Sequence, residues 1–258
     1  AGFQGLEPPE EFLRLIKEYK VGNIILFRRN IQDGPQLKKL CATLRKVVEE
    51  ETGVTPFITI DQEGGVVTRL PESEVNIPGA MAVAATGNPR NAYDMGLLTA
   101  QELRSCGVDF NLAPVMDINC NPDNPVIGVR SYGDTPERVA EYGSQMVRGL
   151  LDGGVYCSLK HFPGHGDTAV DSHLGLPCID RSFDELMQRE LKPFIAGIEA
   201  GAPAVMTTHI LFPQIEPEHI PATMSRRIMT GLLREKLGFG GIIISDCMEM
   251  DAIKKFYG

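Results

Sequence analysis

The densest group of side chains able to do chemistry is the run Lys160–His173, KHFPGHGDTAVDSH, which holds three of the chain's five histidines, a lysine and two aspartates. Pro163, Gly164 and Gly166 exclude a regular helix start, so Pro163 to Val170 reads as a loop. Asp171 stands two residues before His173. A carboxylate so placed can accept a hydrogen bond from the imidazole, fixing its tautomer and raising its basicity. The resulting dyad could take and deliver a proton near neutral pH. The blander reading is a polar surface loop with idle histidines, and the clustering argues against it. Asp246 is the second focus, at the end of the apolar run GIIIS. A carboxylate there can attack an anomeric carbon or ligate a metal; it can also simply cap the helix that follows.

Asp61, in IDQEGG, likewise closes an apolar run, and Gly64-Gly65 permit a tight turn beside a ligand. Arg69 lies near enough in sequence to reach the same pocket or to pair with Glu63, and Arg130 sits in the glycine-flanked stretch GVRSYGD. Arginine forks clamp hydroxyls and carboxylates. Two chemistries use these groups differently. In one, His161, His209 and Asp246 ligate a metal for hydrolysis. In the other, Asp61, Arg69, Arg130, Lys160 and His161 grip a hydroxyl-rich substrate while Asp246 and His173 do covalent and acid–base work. The second accounts for more residues, and the early strands lack a His-x-His pair.

Something must bring these residues to one place. Six short apolar runs, Asn23–Phe27, Phe57–Asp61, Phe110–Val115, Cys157–Phe162, Ala204–Ile210 and Gly241–Asp246, are rich in Ile, Val, Leu or Phe without strict alternation. That pattern fits parallel strands buried on both faces. Helical stretches lie between them, at Glu10–Tyr19, Pro35–Glu50, Asn91–Cys106, Pro136–Leu151, Phe183–Gly201 and Ser225–Leu237. Thr135 before Pro136, and Ser182 before Asp184 and Glu185, read as helix starts. Repeated strand–helix alternation predicts an α/β fold with a parallel sheet. A doubly wound sheet would want a glycine fingerprint after an early strand, and none follows. Polar residues (Asp61, Asp117, Asn119, Lys160, His161, His209, Asp246) crowd the C-terminal ends of the runs, as at the mouth of a (β/α)8 TIM-type barrel. Gly2-Phe3-Gln4 reads as the tail of an earlier strand. The barrel is thus expected to be incomplete at both ends, with a last strand beyond Gly258.

The net charge of −9, with scattered Lys and Arg, argues against nucleic-acid or anionic-membrane partners. No apolar run approaches the ~20 residues of a membrane span. Six cysteines without CxxC spacing, mostly among apolar residues, read as reduced buried thiols rather than a zinc site or disulfide framework. They favour a reducing compartment, so cytoplasmic placement is expected, with export open to a longer protein that carries a signal.

The motifs ILFRRN (25–30), IDQEGGVVTRL (60–70), NLAPVMDIN (111–119), KHFPGHGDTAVDSHLGLP (160–177), TTHI (207–210) and ISDCMEM (244–250) occur in this order. Together they resemble glycoside hydrolase family 3, in its bacterial β-N-acetylhexosaminidase (NagZ-like) branch. The resemblance covers essentially all of residues 1–258, read as the N-terminal catalytic barrel domain.

The resemblance implies Asp246 as the nucleophile of a retaining mechanism, His173 as an unusual histidine acid–base, and Asp171 as its partner. It implies that Asp61, Arg69, Arg130, Lys160 and His161 bind the nonreducing-end sugar. Terminal β-linked GlcNAc of peptidoglycan fragments or chito-oligosaccharides is the expected substrate, with no metal or organic cofactor. Water and phosphate both remain open as the final acceptor.

Overall fold

The computed structural model describes residues 1–168 and 177–257. The apolar runs become six strands: β1 (Ile24–Leu26), β2 (Ile58–Ile60), β3 (Phe110–Asn111), β4 (Tyr156–Phe162), β5 (Ala204–Thr207) and β6 (Ile242–Ser245). All neighbouring pairs are parallel, and the spatial order follows the chain order, β1 to β6. A parallel sheet in sequence order, with helices in its connections, is the curled half of a TIM-type barrel. At the β1 edge, Ala1 donates to Asn23 O and accepts from Ile25 N–H at 2.8 Å, a parallel ladder bond. The pairing falls on Ala1 rather than within Gly2-Phe3-Gln4.

The helices are α1 (Glu10–Tyr19), α2 (Gly34–Thr52), α3 (Ala80–Ala85), α4 (Arg90–Ser105), α5 (Pro136–Asp152), α6 (Phe183–Gln188), α7 (Leu191–Glu199) and α8 (Asp251–Lys254), with a π-helix at Arg227–Lys236. Asp33 caps α2 by accepting from Gln36 N–H, and Ser182 and Glu185 cap α6 reciprocally. Pro136 stands at the first turn of α5, but the Thr135 side chain makes no capping bond. The expected helix Phe183–Gly201 is two helices. Pro193 would set its ring against the carbonyl of Arg189 in a continuous helix, and the chain leaves helical geometry there, with φ −130° and ψ −78° at Arg189. Strand 110–115 is also interrupted. Pro114 has no N–H to give the ladder, so β3 ends at Asn111 and pairing resumes at Val115, opposite Lys160.

Apolar side chains form two layers. The larger packs the sheet against its helices, with Ile24, Leu26, Ile58, Ile60, Cys157 and Leu159 wholly buried or nearly so. The smaller, Phe110, Leu112, Ala204 and Met206, faces the other way, joined by Ile25, Phe57 and Ile244. Together the two layers fix which strand residues look outward and which toward the concave side that holds the polar site.

Candidate active site

Asp61, Arg69, Arg130, Lys160, His161 and Asp246 all line one cavity of about 1280 Å³. Different connections supply them, most at or just beyond the end of a strand. Asp61 follows β2, and the chain then turns sharply through Gly64 and Gly65, at φ 93° and 57°. A Cβ on Gly65 would stand 2.8 Å from the backbone of Gly79, so the turn has room for glycine alone. This turn sets Glu63 beside Asp61. Gln62 locks the same stretch: its backbone N–H donates to Asn111 Oδ1 on β3, and its Oε1 accepts from the N–H groups of Arg69 and Leu70.

Lys160 and His161 are neighbours in one strand, and regular pleating would send their side chains to opposite faces. The β4–β5 register solves this. Leu159 pairs with Val205 and Phe162 with Thr207, so β4 carries one extra residue across Lys160 and His161. A bulge of this kind re-aims a side chain, and both residues line the cavity.

Charge is concentrated and paired. The Lys160 ammonium, almost fully buried, lies 2.7 Å from Asp61 Oδ1 and 2.6 Å from Glu63 Oε1. Glu63 also accepts two parallel bonds from Arg130, at 2.8 and 2.9 Å. Burial alone would raise the Glu63 carboxyl, but the Lys160 charge and the bonds from Arg130 bring it down to about 2. Burial pushes Lys160 down, while Asp61 and Glu63 outweigh it and raise it above its ordinary value. Arg69 stands 3.7 Å from Asp61, so the partner of Glu63 is Arg130 and not Arg69.

A second buried carboxylate organises the histidines. Asp117 lies 2.7 Å from His161 Nδ1 and accepts from the backbone N–H groups of His161 and His165. Burial opposes its charge, yet His161 and these donors lower its pKa. With Nδ1 directed at Asp117, His161 turns its Nε2 edge elsewhere. His165 is driven down to about 4, first by burial and then by the neighbouring His161. Asp246 accepts from Cys247 N–H at 2.7 Å. Burial acts to raise its pKa, and His161, that N–H, His209 and Lys160 together lower it. An ionised carboxylate facing the cavity is what nucleophilic attack requires.

Asp171 and His173 lie outside the described residues. His209 is buried and hydrogen-bonds Cys247 O through Nε2 at 2.9 Å, which ties β5's exit to the Asp246 loop. Among the described residues, His161, His209 and Asp246 do not bring three ligand atoms within reach of one ion. From sequence, Glu63 is only a possible partner of Arg69, and Asp117 only a strand-end residue. The available signal for Glu63 is its place two residues past Asp61 in the same glycine turn. The reduced-thiol reading holds for Cys41, Cys106 and Cys157, which are buried, whereas Cys178 and Cys247 are exposed.

Residues 4–258 match the family profile described as "Glycosyl hydrolase family 3 N terminal domain". Beta-hexosaminidase A of Pseudoalteromonas piscicida is 39% identical over 96% of this chain and 44% of its own length. Among solved structures, a glycoside hydrolase family 3 β-N-acetylglucosaminidase from Paenibacillus sp. str. FPU-7 superposes with TM-score 0.98 at 50% identity, over 100% of this chain and 49% of that one. NagZ from Neisseria gonorrhoeae, in complex with N-trifluoroacetyl-D-glucosamine, superposes with TM-score 0.89 at 35% identity, over 97% and 74%. The chain thus spans about half the length of the first two. No described helix is long and apolar enough to cross a membrane.

Proposed function

The chain belongs to glycosyl hydrolase family 3, and from that membership we propose that it removes terminal β-linked N-acetylglucosamine with retention of configuration. The observation that carries this reading is the convergence of Asp246 with Asp61, Arg69, Arg130, Lys160 and His161 on one cavity. The activity named for the Paenibacillus protein and the N-acylated glucosamine bound by the Neisseria one support the same reading.

In this reading the charged wall of Asp61, Lys160 and Arg69 meets the hydroxyls of the nonreducing sugar. Hydroxyls can donate to Asp61 and accept from Lys160 and the arginines. Asp246 attacks the anomeric carbon, while protonated His173 gives its proton to the leaving oxygen. The first step forms the bond from Asp246 to carbon and breaks the glycosidic bond. In the second, water gives a proton to neutral His173 and displaces Asp246, so two inversions retain configuration. Asp171 holds the imidazole in the required tautomer. Peptidoglycan fragments and chito-oligosaccharides both present such a terminus.

The test is nitrophenol release from aryl β-GlcNAc and β-glucose glycosides by the full-length protein, with chelator present. Preferential cleavage of the GlcNAc glycoside is expected, with Asp246→Asn and His173→Ala slowed by on the order of 10²–10⁴-fold or more. Faster glucoside cleavage, or full activity in Asp246→Asn, would overturn the reading.

A further inference from the structure

Cys120, Asp167 and Glu190 come together from three separate stretches of the sequence. One sulfur and one carboxylate oxygen from each acid lie within 4.8 Å of one another. None of the three lines the large cavity. Glu190 is 4% exposed. Its Oε1 accepts from Arg189 Nε at 2.6 Å, but its Oε2 is buried with no hydrogen-bond partner. A buried carboxylate oxygen left so is costly, which makes it the atom in need of a ligand.

Asp167 is held in a matching way. Arg181 and Arg189 both donate to its Oδ2, at 2.9 and 2.8 Å. Arg189 Nη2 also meets Glu190 Oε1, so one guanidinium joins the two acids and leaves Glu190 Oε2 unpartnered, in the way outer hydrogen bonds fix a ligating carboxylate. We propose that Cys120, Asp167 and Glu190 form a binding site for one Zn²⁺ ion, with water as the fourth ligand. A thiolate with two carboxylate oxygens suits zinc, whereas calcium and magnesium want more oxygens and no sulfur. Burial holds the Cys120 thiol up at about 11 despite Arg189, so it is protonated at neutral pH. Zinc binding forms the S–Zn bond and releases the thiol proton to solvent. The two arginines neutralise the two carboxylates and so temper affinity. The lack of CxxC spacing gives no hint of this site, because its ligands are joined only by the fold.

The experiment titrates the full-length protein with Co²⁺ as a spectroscopic stand-in, then displaces it with Zn²⁺. A thiolate-to-cobalt charge-transfer band in the near ultraviolet is expected, lost in Cys120→Ser and retained in Cys247→Ser and Asp246→Asn. Glu190→Gln should weaken Zn²⁺ at least as much as losing an outer hydrogen-bond partner of a ligand does, about 10–100-fold, while circular dichroism stays native. This variant decides the matter if Cys120→Ser does not fold. No thiolate band in the folded protein, a band that survives Cys120→Ser, or unchanged Zn²⁺ affinity in Glu190→Gln would overturn the proposal.

Discussion

Glu63 holds Arg130 through two parallel bonds, Oε1 to Nη2 at 2.8 Å and Oε2 to Nε at 2.9 Å, while the same Oε1 meets Lys160 Nζ at 2.6 Å. One buried anion therefore positions two cations that face the cavity. Removing its charge leaves both less well compensated, and breaking a buried pair costs about 3–5 kcal/mol. Glu63→Gln is expected to destabilise the fold by a few kcal/mol in chemical denaturation. Its kcat/KM on an aryl β-GlcNAc glycoside should also fall, because Lys160 and Arg130 lose their common anchor. Wild-type kcat/KM in a folded Glu63→Gln protein would contradict the positioning role.

Acid should lower the protein's stability in two separable pH windows. His165 is held down at about 4, below its ordinary value of 6.5. Between those pH values the unfolded chain takes up a proton that the folded one refuses, so stability falls as pH drops from about 6.5 toward 4. Glu63 is held at about 2, below 4.5, so its contribution is present above pH 4.5 and is lost as pH falls toward 2. Denaturation free energies across about pH 2–7 check both windows. His165→Gln should flatten the upper window relative to wild type, and Glu63→Gln the lower one. Unchanged slopes in both variants would refute the assignment.

Asp117 and His161 should behave as a unit. Asp117→Asn keeps the shape but brings an amide group against N–H donors that now meet a carboxylate. With the His161 ring no longer fixed, kcat/KM is expected to drop about 10–100-fold, the range for partners that orient a functional histidine. The double variant with His161→Ala should then cost little more than His161→Ala alone, since the two act through one contact. Additive losses in a double-mutant cycle would show that Asp117 acts by another route.

The legible part of this site was its set of strand-end residues. Asp61 and Asp246 close apolar runs and Lys160 and His161 stand near the end of another, and parallel topology carries such strand ends to one face. The arginines were legible by type but not by partner. Glu63 and Asp117 were hidden because a buried carboxylate shows its role only through what surrounds it, here Lys160, Arg130 and His161. The bulge at Lys160–His161 was equally hidden, since register is a property of two strands and not of one. The break between α6 and α7 was readable in principle from Pro193, but amphipathic continuity over 183–201 masked it. Helices α3 and α8 span six and four residues, too short to establish a helical period.

Gly53 and Gly65 allow conformational strain to be separated from crowding at the site. Both adopt positive φ, 74° and 57°. Gly53 ends α2 in open space, with nothing within 4 Å of where a methyl would stand, whereas a methyl on Gly65 would meet Gly79 N and Cα at 2.8 Å. Gly53→Ala carries only the left-handed backbone cost, about 1 kcal/mol, and sits apart from the loops that line the cavity. Gly65→Ala carries that cost and must also push apart two backbone segments, one of which leads directly from Glu63. It is therefore expected to lose clearly more stability than Gly53→Ala in urea denaturation, by about 1–3 kcal/mol for the added overpacking. The kinetics should separate as well: Gly53→Ala keeps wild-type kcat/KM, while Gly65→Ala lowers it by displacing Glu63 and with it Lys160 and Arg130. Equal stability loss and equal kinetics in the two variants would mean that the turn does not set the position of Glu63.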